Sequence, residues 1–208
     1  MRDNVISTIP IGLVGVTGYT GMELVRLLAG HQHFQLVAVT SRSEAGKRLD
    51  HIYPFVSGFP LGELVLTKPD PDELARSCEL VFLAVPHGTA MDMAAELLAR
   101  GLKVVDLSAD FRLRDPEVYS KWYGLEHRHP KLINEAVFGL PELYAQETAE
   151  AKLTANPGCY VTSVILGLAP ALANDLVHTN DIVADSKSGA SGAGRGAKQP
   201  LLFCEVSD

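Results

Sequence analysis

The 208-residue chain has few cysteines, no excess of basic residues and no long apolar segment. Its three cysteines form no C-x-x-C pair, which argues against a disulfide framework and a bound metal. A formal net charge of −7 provides no global attraction for nucleic acid or an anionic membrane. No apolar run approaches the roughly 20 residues that cross a bilayer. The first residues do not resemble a signal peptide. We therefore expect a cytoplasmic protein without nucleic-acid or membrane partners.

Short apolar runs alternate with helical patterns in the first half of the chain. Four runs predict buried strands and two segments predict helices: Ile9–Val16, Gln35–Ser41, Leu80–Pro86 and Lys103–Leu107 for the strands, and Met22–Ala29 and Thr89–Arg100 for the helices. This alternation is typical of an α/β protein with a Rossmann-type parallel sheet and right-handed crossovers.

The pattern changes after Asp110, and residues 110–150 predict an irregular connection over the edge of the sheet. Beyond it, Leu153–Asn156 predicts a strand, Cys159–Ala173 a helix and Asp181–Lys187 a further strand. We place the domain boundary between residues 155 and 156. Residues 1–155 form the predicted cofactor-binding domain, and 156–208 begin a second, catalytic domain.

A glycine-rich turn separates the first strand from the first helix. Glycines let the backbone approach a pyrophosphate, and the start of a helix favours its negative charge. The spacing is G-x-x-G-x-x-G instead of the commoner G-x-G-x-x-G, and such a turn also occurs for purely structural reasons. The strand–turn–helix context favours dinucleotide binding, by the following residues: Gly15, Thr17, Gly18, Tyr19, Thr20 and Gly21.

The end of the second strand indicates which nicotinamide cofactor is bound. NAD-binding proteins place an acidic residue there, whereas this strand ends in Thr40-Ser41-Arg42-Ser43. A guanidinium binds a 2′-phosphate through paired hydrogen bonds, and Ser41 adds a hydroxyl donor. The alternative is that Arg42 is an ordinary solvated arginine. We predict NADP as the cofactor.

Cys159 follows the turn formed by Pro157-Gly158 and begins a predicted helix. The free N–H groups at a helix start favour a thiolate and also stabilise an oxyanion. Considered alone, such a cysteine is more often a small buried hydrophobic residue. After a dinucleotide-binding half it becomes the candidate catalytic nucleophile, whereas Cys78 and Cys204 have no such setting.

Four segments resemble the N-acetyl-γ-glutamyl-phosphate reductases of arginine biosynthesis, in the expected order: Gly15–Gly21, Asp106–Arg112, Asn156–Tyr160 and Ser188–Arg195. The resemblance implies a Rossmann domain followed by an α+β catalytic domain of the semialdehyde-dehydrogenase type. It implies that Cys159 is the nucleophile. It also implies that Ser188, Gly189 and Gly192 lie against the nicotinamide end of the cofactor.

Further candidates follow the strands at the carboxyl edge of the sheet, where ligands of open α/β folds bind. We predict that Pro86 and Ser108 contact the cofactor. Arg112 and Asn156 are candidates for substrate binding, although Arg112 could instead pair with Asp110. We interpret His127-Arg128-His129 as a solvated loop, because no acidic or cysteine partner is spaced to complete a metal site.

The chain differs from this family in one respect. Reductases of this family are longer and carry a catalytic histidine after the glycine-rich loop, whereas the 13 residues after Arg195 contain no histidine. We expect the chain to lack most of the substrate domain, to be inactive alone, and to form a homo-oligomer at full length.

The hypothesis is NADPH-dependent reduction of N-acetyl-γ-glutamyl phosphate to the semialdehyde and phosphate, through a thioester on Cys159. Two alternatives stay open at this point. One is a lysine-pathway reductase acting on an acyl phosphate one methylene longer, since one methylene changes discrimination by only about 1–3 kcal/mol. The other is an inactive NADP-binding fragment.

Overall fold

A computed structural model of the chain describes residues 8–196, Gln199 and Leu202. The chain divides into two compact units, residues 1–156 and residues 157–208. The division falls one residue beyond the boundary that the sequence suggested. The first unit contains a sheet with helices on both faces, and the second begins with a long helix.

One six-stranded parallel sheet forms the centre of the first unit. Its strands are β1 (Ile9–Val14), β2 (Phe34–Thr40), β3 (Leu80–Leu83), β4 (Lys103–Asp106), β5 (Val137–Phe138) and β6 (Leu153–Ala155). Their spatial order is β2-β1-β3-β4-β6-β5, and every pairing is parallel. The chain builds outward from β1 in both directions, so a crevice opens where β1 and β3 end. The predicted Rossmann-type α/β class is confirmed.

Seven helices lie in the described part of the first unit. They are α1 (Tyr19–Leu28), α2 (Leu49–Ile52), α3 (Pro71–Ser77), α4 (Ala90–Ala99), α5 (Pro116–Tyr123), α6 (Pro130–Glu135) and α7 (Pro141–Glu150), with short 3-10 turns at Pro54–Val56 and Pro60–Glu63. Four of them begin with proline, which has no N–H to lose at that position. Predicted strand and helix boundaries in this unit shift by up to three residues.

Each face of the sheet has its own apolar core, as strand alternation requires. Ile11 and Leu13 of β1 face the side that α1 covers. Val14 faces α3 and α4 on the other side. Gly12 allows α3 to approach closely, because a Cβ there would lie 2.9 Å from Leu74 Cδ2. Because these strands are covered on both faces, their sequences are continuously apolar and do not alternate with polar residues.

Residues 110–150 do not form the irregular connection that the sequence suggested. They fold into α5, α6, β5 and α7, and β5 adds a sixth strand beside β6. These helices have 8, 6 and 10 residues, and segments so short show little apolar periodicity in the sequence. Within this segment His127 is only 5% exposed, so the expectation of a solvated loop is wrong for that residue.

The second unit begins with α8 (Cys159–Ala173), which has the predicted boundaries. No strand forms over residues 181–187, so that prediction is wrong. A strand needs a neighbour for its N–H and C=O groups, and the described part of this unit contains no other strand. None of the helices in the described part of the chain is both long and apolar enough to cross a membrane.

Candidate functional site

The turn after β1 is built around glycines that have no space for a side chain. Gly15 has a φ of +86°, and a Cβ on it would overlap the backbone oxygen of Ala84 beyond β3. A Cβ on Gly21 would lie 2.5 Å from the oxygen of Val16. The hydroxyl of Tyr53 donates to that same Val16 oxygen at 2.9 Å. The turn is therefore closely packed, and the hydrogen bond from Tyr53 stabilises it.

The first turn of α1 leaves its N–H groups open. Gly18 is the N-cap residue and has no side chain with which to cap the helix, and the first turn contains no acidic residue. Tyr19 and Thr20 are exposed at this end. An uncapped helix start without nearby carboxylates favours an anion, such as the pyrophosphate of a dinucleotide.

The end of β2 lies directly beside this turn. The backbone N–H groups of Gly15 and Val16 both donate to the oxygen of Thr40, each at 3.1 Å. Ser41 is buried, and its hydroxyl accepts from the N–H of Glu44 at 3.3 Å. Arg42 is exposed and forms no ion pair with the residues that the structure describes. Its guanidinium is thus available to an anion next to the glycine turn.

A group of buried acidic and hydroxyl side chains follows β4. Ser108 Oγ donates to Asp106 Oδ2 at 2.8 Å and accepts from the N–H of Asp110 at 3.1 Å. Burial raises the pKa of Asp106 to about 6, although the Ser108 hydrogen bonds oppose this shift. The Ser108 hydroxyl thus donates one hydrogen bond and accepts another within the loop. A contact between this side chain and the cofactor stays a prediction.

Asp110 forms more hydrogen bonds at this edge than the sequence predicted. Its carboxylate accepts from the N–H groups of Gly88 and Ala90, at 2.7 and 3.1 Å, and from the hydroxyl of Tyr119 at 2.8 Å. It thereby caps α4 from another element and ties α5 to the sheet. The D-x-S-x-D spacing after an apolar strand was the available signal.

His87 also takes a defined orientation beyond β3. Its Nδ1 accepts from the N–H of Ala109 at 2.9 Å, so a neutral ring carries its proton on Nε2. The ring meets Tyr123 edge-on, with centroids 5.6 Å apart. Pro86, the predicted cofactor contact next to it, is exposed.

Arg112 does not pair with Asp110. Its Nε donates to the backbone oxygen of Asn156 at 2.7 Å, and its Nη2 donates to that of Leu107 at 2.9 Å. The side chain therefore links the loop after β4 to the residue that follows β6. Substrate binding by Arg112 and Asn156 stays a prediction.

The predicted residues of the second unit lie at the start of α8 and in a glycine-rich loop. Cys159 is exposed and is the first residue of α8, with Gly158 as an N-cap that contributes no side chain. In the loop, Ser188 and Gly189 precede a 3-10 turn over Ala190–Ala193 that contains Gly192.

The other two cysteines differ from Cys159. Cys78 is buried, and burial raises the pKa of its thiol, in agreement with a packing role. Cys204 lies outside the described residues. Exposure at a helix start therefore distinguishes Cys159 from Cys78 as a candidate nucleophile.

Two family models together match almost the whole chain. "Semialdehyde dehydrogenase, NAD binding domain" matches residues 10–151, and "Semialdehyde dehydrogenase, dimerisation domain" matches residues 159–208. The chain belongs to the semialdehyde dehydrogenase family.

Curated relatives within this family extend over most of the chain. N-acetyl-gamma-glutamyl-phosphate reductase of Acidithiobacillus ferrooxidans is 53% identical over 197 residues, which cover 95% of this chain and 56% of that protein. The protein of the same name from Nitrosococcus oceani is 50% identical over 94% of this chain and 57% of its own length. The resemblance indicated by the motifs is confirmed. This chain spans about 56% of the length of the first of these relatives.

Solved structures show the same fold. Aspartate semialdehyde dehydrogenase of Candida albicans, determined with NADP, matches with a TM-score of 0.59 and 18% identity, over 81% of this chain and 48% of that one. Aspartate semialdehyde dehydrogenase II of Vibrio cholerae matches with a TM-score of 0.56 and 14% identity, over 80% and 47% of the two chains. At these identities the similarity concerns the fold alone.

Proposed function

We propose that this chain supplies the cofactor-binding part and the nucleophile of an NADPH-dependent reductase. The enzyme converts N-acetyl-γ-glutamyl phosphate to N-acetylglutamate 5-semialdehyde and phosphate. The observation that carries the proposal is 53% identity, over 95% of this chain, to a reductase of that name. The description of residues 159–208 as a dimerisation domain supports a homo-oligomeric enzyme.

The residues present fit a nicotinamide cofactor. Gly15 keeps the turn free of side chains, and the uncapped start of α1 offers N–H groups to a pyrophosphate. Arg42 and Ser41 would hold a 2′-phosphate. When bound, NADPH supplies the hydride that reduces the acyl carbon.

Cys159 carries the covalent chemistry of the proposal. Its thiolate attacks the acyl carbon, the S–C bond forms, and the bond from carbon to the phosphate oxygen breaks as phosphate leaves. N–H groups of the first turn of α8 stabilise the oxyanion of the tetrahedral intermediate. After reduction, the thiohemiacetal releases the aldehyde and regenerates the Cys159 thiolate.

Cofactor selectivity is tested by fluorescence titration of this chain with NADPH and NADH. We expect NADPH to bind at least several-fold more tightly. Arg42→Ala should weaken NADPH binding about tenfold and leave NADH binding unchanged, because only NADPH carries the 2′-phosphate. Arg76→Ala, a second exposed arginine, is the control and should change neither affinity. Equal affinities for the two cofactors in the unmodified chain would overturn the NADP assignment.

The reaction is tested with N-acetylglutamate semialdehyde, NADP and phosphate, measured as NADPH formation. The chain is assayed alone and after fusion to the C-terminal part of the Acidithiobacillus relative. We expect turnover in the fusion and its loss in Cys159→Ser, while Cys78→Ser keeps the activity. Cofactor binding without turnover in either form would support a non-catalytic module.

A further inference from the structure

We propose that Tyr53 is a positioning residue that holds the glycine turn after β1 in the orientation that a pyrophosphate requires. The inference rests on the proposed function for the role of this turn in cofactor binding. Tyr53 is only 3% exposed, so it acts through the main chain of Val16 and not by contact with a ligand. All the residues that carry the argument belong to the first unit.

The first argument is that the carbonyl group of Val16 is enclosed. The hydroxyl of Tyr53 donates to its oxygen at 2.9 Å, and both residues are buried. The backbone of Gly21 in α1 also lies close, because a Cβ on Gly21 would be 2.5 Å from the same oxygen. Removing the Tyr53 hydroxyl takes a donor away from a buried acceptor, which is unfavourable in the present orientation of the peptide.

The second argument is that the N–H side of Val16 is held by the end of β2. The N–H groups of Gly15 and Val16 both donate to the oxygen of Thr40, the last residue of β2, at 3.1 Å. Tyr53 belongs to the segment that follows this strand. The end of β2 and the segment after it therefore hold Val16 at both its N–H and its C=O.

The segment that carries Tyr53 is itself attached to the end of β2. The N–H of Ser41 donates to the oxygen of Thr67 at 2.9 Å, and the N–H of Thr67 donates to that of Val39 at 3.1 Å. Within the segment, the N–H of Tyr53 donates to the oxygen of Leu49 at 2.8 Å, and Leu49 is completely buried. The Tyr53 hydroxyl thus reaches Val16 from a backbone that is fixed at several points.

The orientation of the Val16 carbonyl matters for an anion at this turn. A planar peptide directs its C=O and the following N–H in opposite directions. The bond to Tyr53 keeps the Val16 oxygen on the buried side, away from the exposed residues Tyr19 and Thr20 at the start of α1. A rotation of this peptide would turn an oxygen with partial negative charge toward the side on which the proposed function places the pyrophosphate. We therefore expect the hydroxyl to affect the binding of ligands that contain a pyrophosphate.

The test measures the binding of NADPH, NADH and 2′-AMP to the unmodified chain and to Tyr53→Phe, which removes one oxygen atom and keeps the ring. Both dinucleotides contain the pyrophosphate, whereas 2′-AMP has only the adenosine and the 2′-phosphate for which Arg42 and Ser41 are the candidates. Fluorescence titration gives the affinities for the dinucleotides, and displacement of NADPH gives that for 2′-AMP. Tyr119→Phe is the matched control, because it removes another buried tyrosine hydroxyl, which donates to Asp110.

A positioning role predicts that Tyr53→Phe weakens the binding of NADPH and NADH by a similar factor, roughly tenfold. The affinity for 2′-AMP should stay essentially unchanged, because the backbone of Ser41 is bonded to Thr67 and not to the Tyr53 hydroxyl. Tyr119→Phe should leave all three affinities essentially unchanged. This pattern differs from that of Arg42→Ala, which is expected to weaken the binding of NADPH alone.

Hydrogen exchange of the ligand-free proteins gives a second measurement that does not depend on a cofactor. The N–H groups of Gly15 and Val16 should exchange roughly tenfold faster in Tyr53→Phe than in the unmodified chain, because the turn opens more often. Tyr119→Phe should not change their exchange. Circular dichroism at the assay temperature verifies that each variant is folded.

Two results would overturn the proposal. If Tyr53→Phe weakens all three ligands equally, Tyr53 supports the whole edge and does not position the turn. If either the NADPH affinity or the exchange of the Gly15 and Val16 N–H groups is unchanged, the hydroxyl does not control the turn as we infer. A failure of the proposed function looks different: the unmodified chain would bind neither dinucleotide, while hydrogen exchange would still show whether Tyr53 fixes the turn.

Discussion

The turn after β1 and the loop after β4 lie at the same edge of the sheet but are constructed in opposite ways. The β1 turn has glycines at positions 15 and 18, and Gly15 packs its backbone directly against the backbone of Ala84. The β4 loop is filled with polar side chains that bond to one another and to neighbouring segments, among them Asp106, Ser108 and Asp110.

This contrast separates the candidate binding surface from its support. The β1 turn leads into the start of α1, and the N–H groups of a first helical turn suit a pyrophosphate. The β4 loop uses its donors and acceptors internally, and so it fixes α4, α5 and the end of β6. Polar residues at this candidate binding edge are therefore not all available to a ligand; some stabilise the loop and its neighbours.

The largest expected effect tests the tight packing of the β1 turn. Gly15→Ala should lower the free energy of unfolding by about 2–6 kcal/mol, since it combines a left-handed φ with an overlap against Ala84. Gly18→Ala is the control: its φ is −77°, the nearest atom lies 4.0 Å from the new Cβ, and the cost should stay within about 1 kcal/mol. Urea denaturation measures both. Similar costs at the two positions would contradict the comparison.

The next effect tests the supporting role of the β4 loop. Asp110→Ala leaves two N–H groups of the α4 start and the hydroxyl of Tyr119 without their acceptor, which should cost about 3–4 kcal/mol. Asp70→Ala removes an exposed cap that serves only its own helix and should cost about 1 kcal/mol. Urea unfolding measures the two free energies. If Asp110→Ala lowers the free energy of unfolding by no more than Asp70→Ala does, the β4 loop does not stabilise the neighbouring helices as we infer.

The smallest effect concerns pH. The pKa of Asp106 is raised from 3.8 to about 6, mainly by burial, so the folded protein keeps a proton that the unfolded chain has released. Stability from this residue is therefore full below pH 3.8 and is lost as pH rises through about 6, by about 2–3 kcal/mol in total. Asp106→Asn should remove this loss.

Urea unfolding of both proteins from pH 4 to pH 7 measures the difference in slope. Asp72→Asn is the control, because Arg100 lowers the pKa of Asp72 and its contribution has the opposite sign. That carboxyl is exposed, so its effect should be small. If stability changes with pH at the same slope in the unmodified protein and in Asp106→Asn, burial does not raise the pKa of Asp106.

The sequence predicted the regular half of the fold well. Apolar runs such as Leu80–Pro86 and Cys159–Ala173 predict a strand and a helix by their composition and length, and the structure has β3 over Leu80–Leu83 and α8 with the predicted boundaries. It failed over residues 110–150 and 181–187. In the first segment the helices depend on contacts with the sheet, and in the second the described residues include no strand with which to pair.

The candidate site divides in the same way. The glycine turn, Arg42 and Cys159 were recognised from local sequence, because a turn, a strand end and a helix start are local features. The bonding of Arg112 to Asn156 was not predicted, because those residues are distant in the chain and meet only when β4 and β6 pair.

Local sequence accounts for the alternation of strands and helices, the glycine turn between β1 and α1, and a cysteine at the start of α8. Each depends on residues within a few positions of one another, where backbone geometry and side-chain period decide the outcome. Contacts between distant residues decide which polar groups remain available at the sheet edge. Arg112 donates to the oxygen of Asn156, 44 positions away in the chain, and this bond exists only once β4 and β6 have paired.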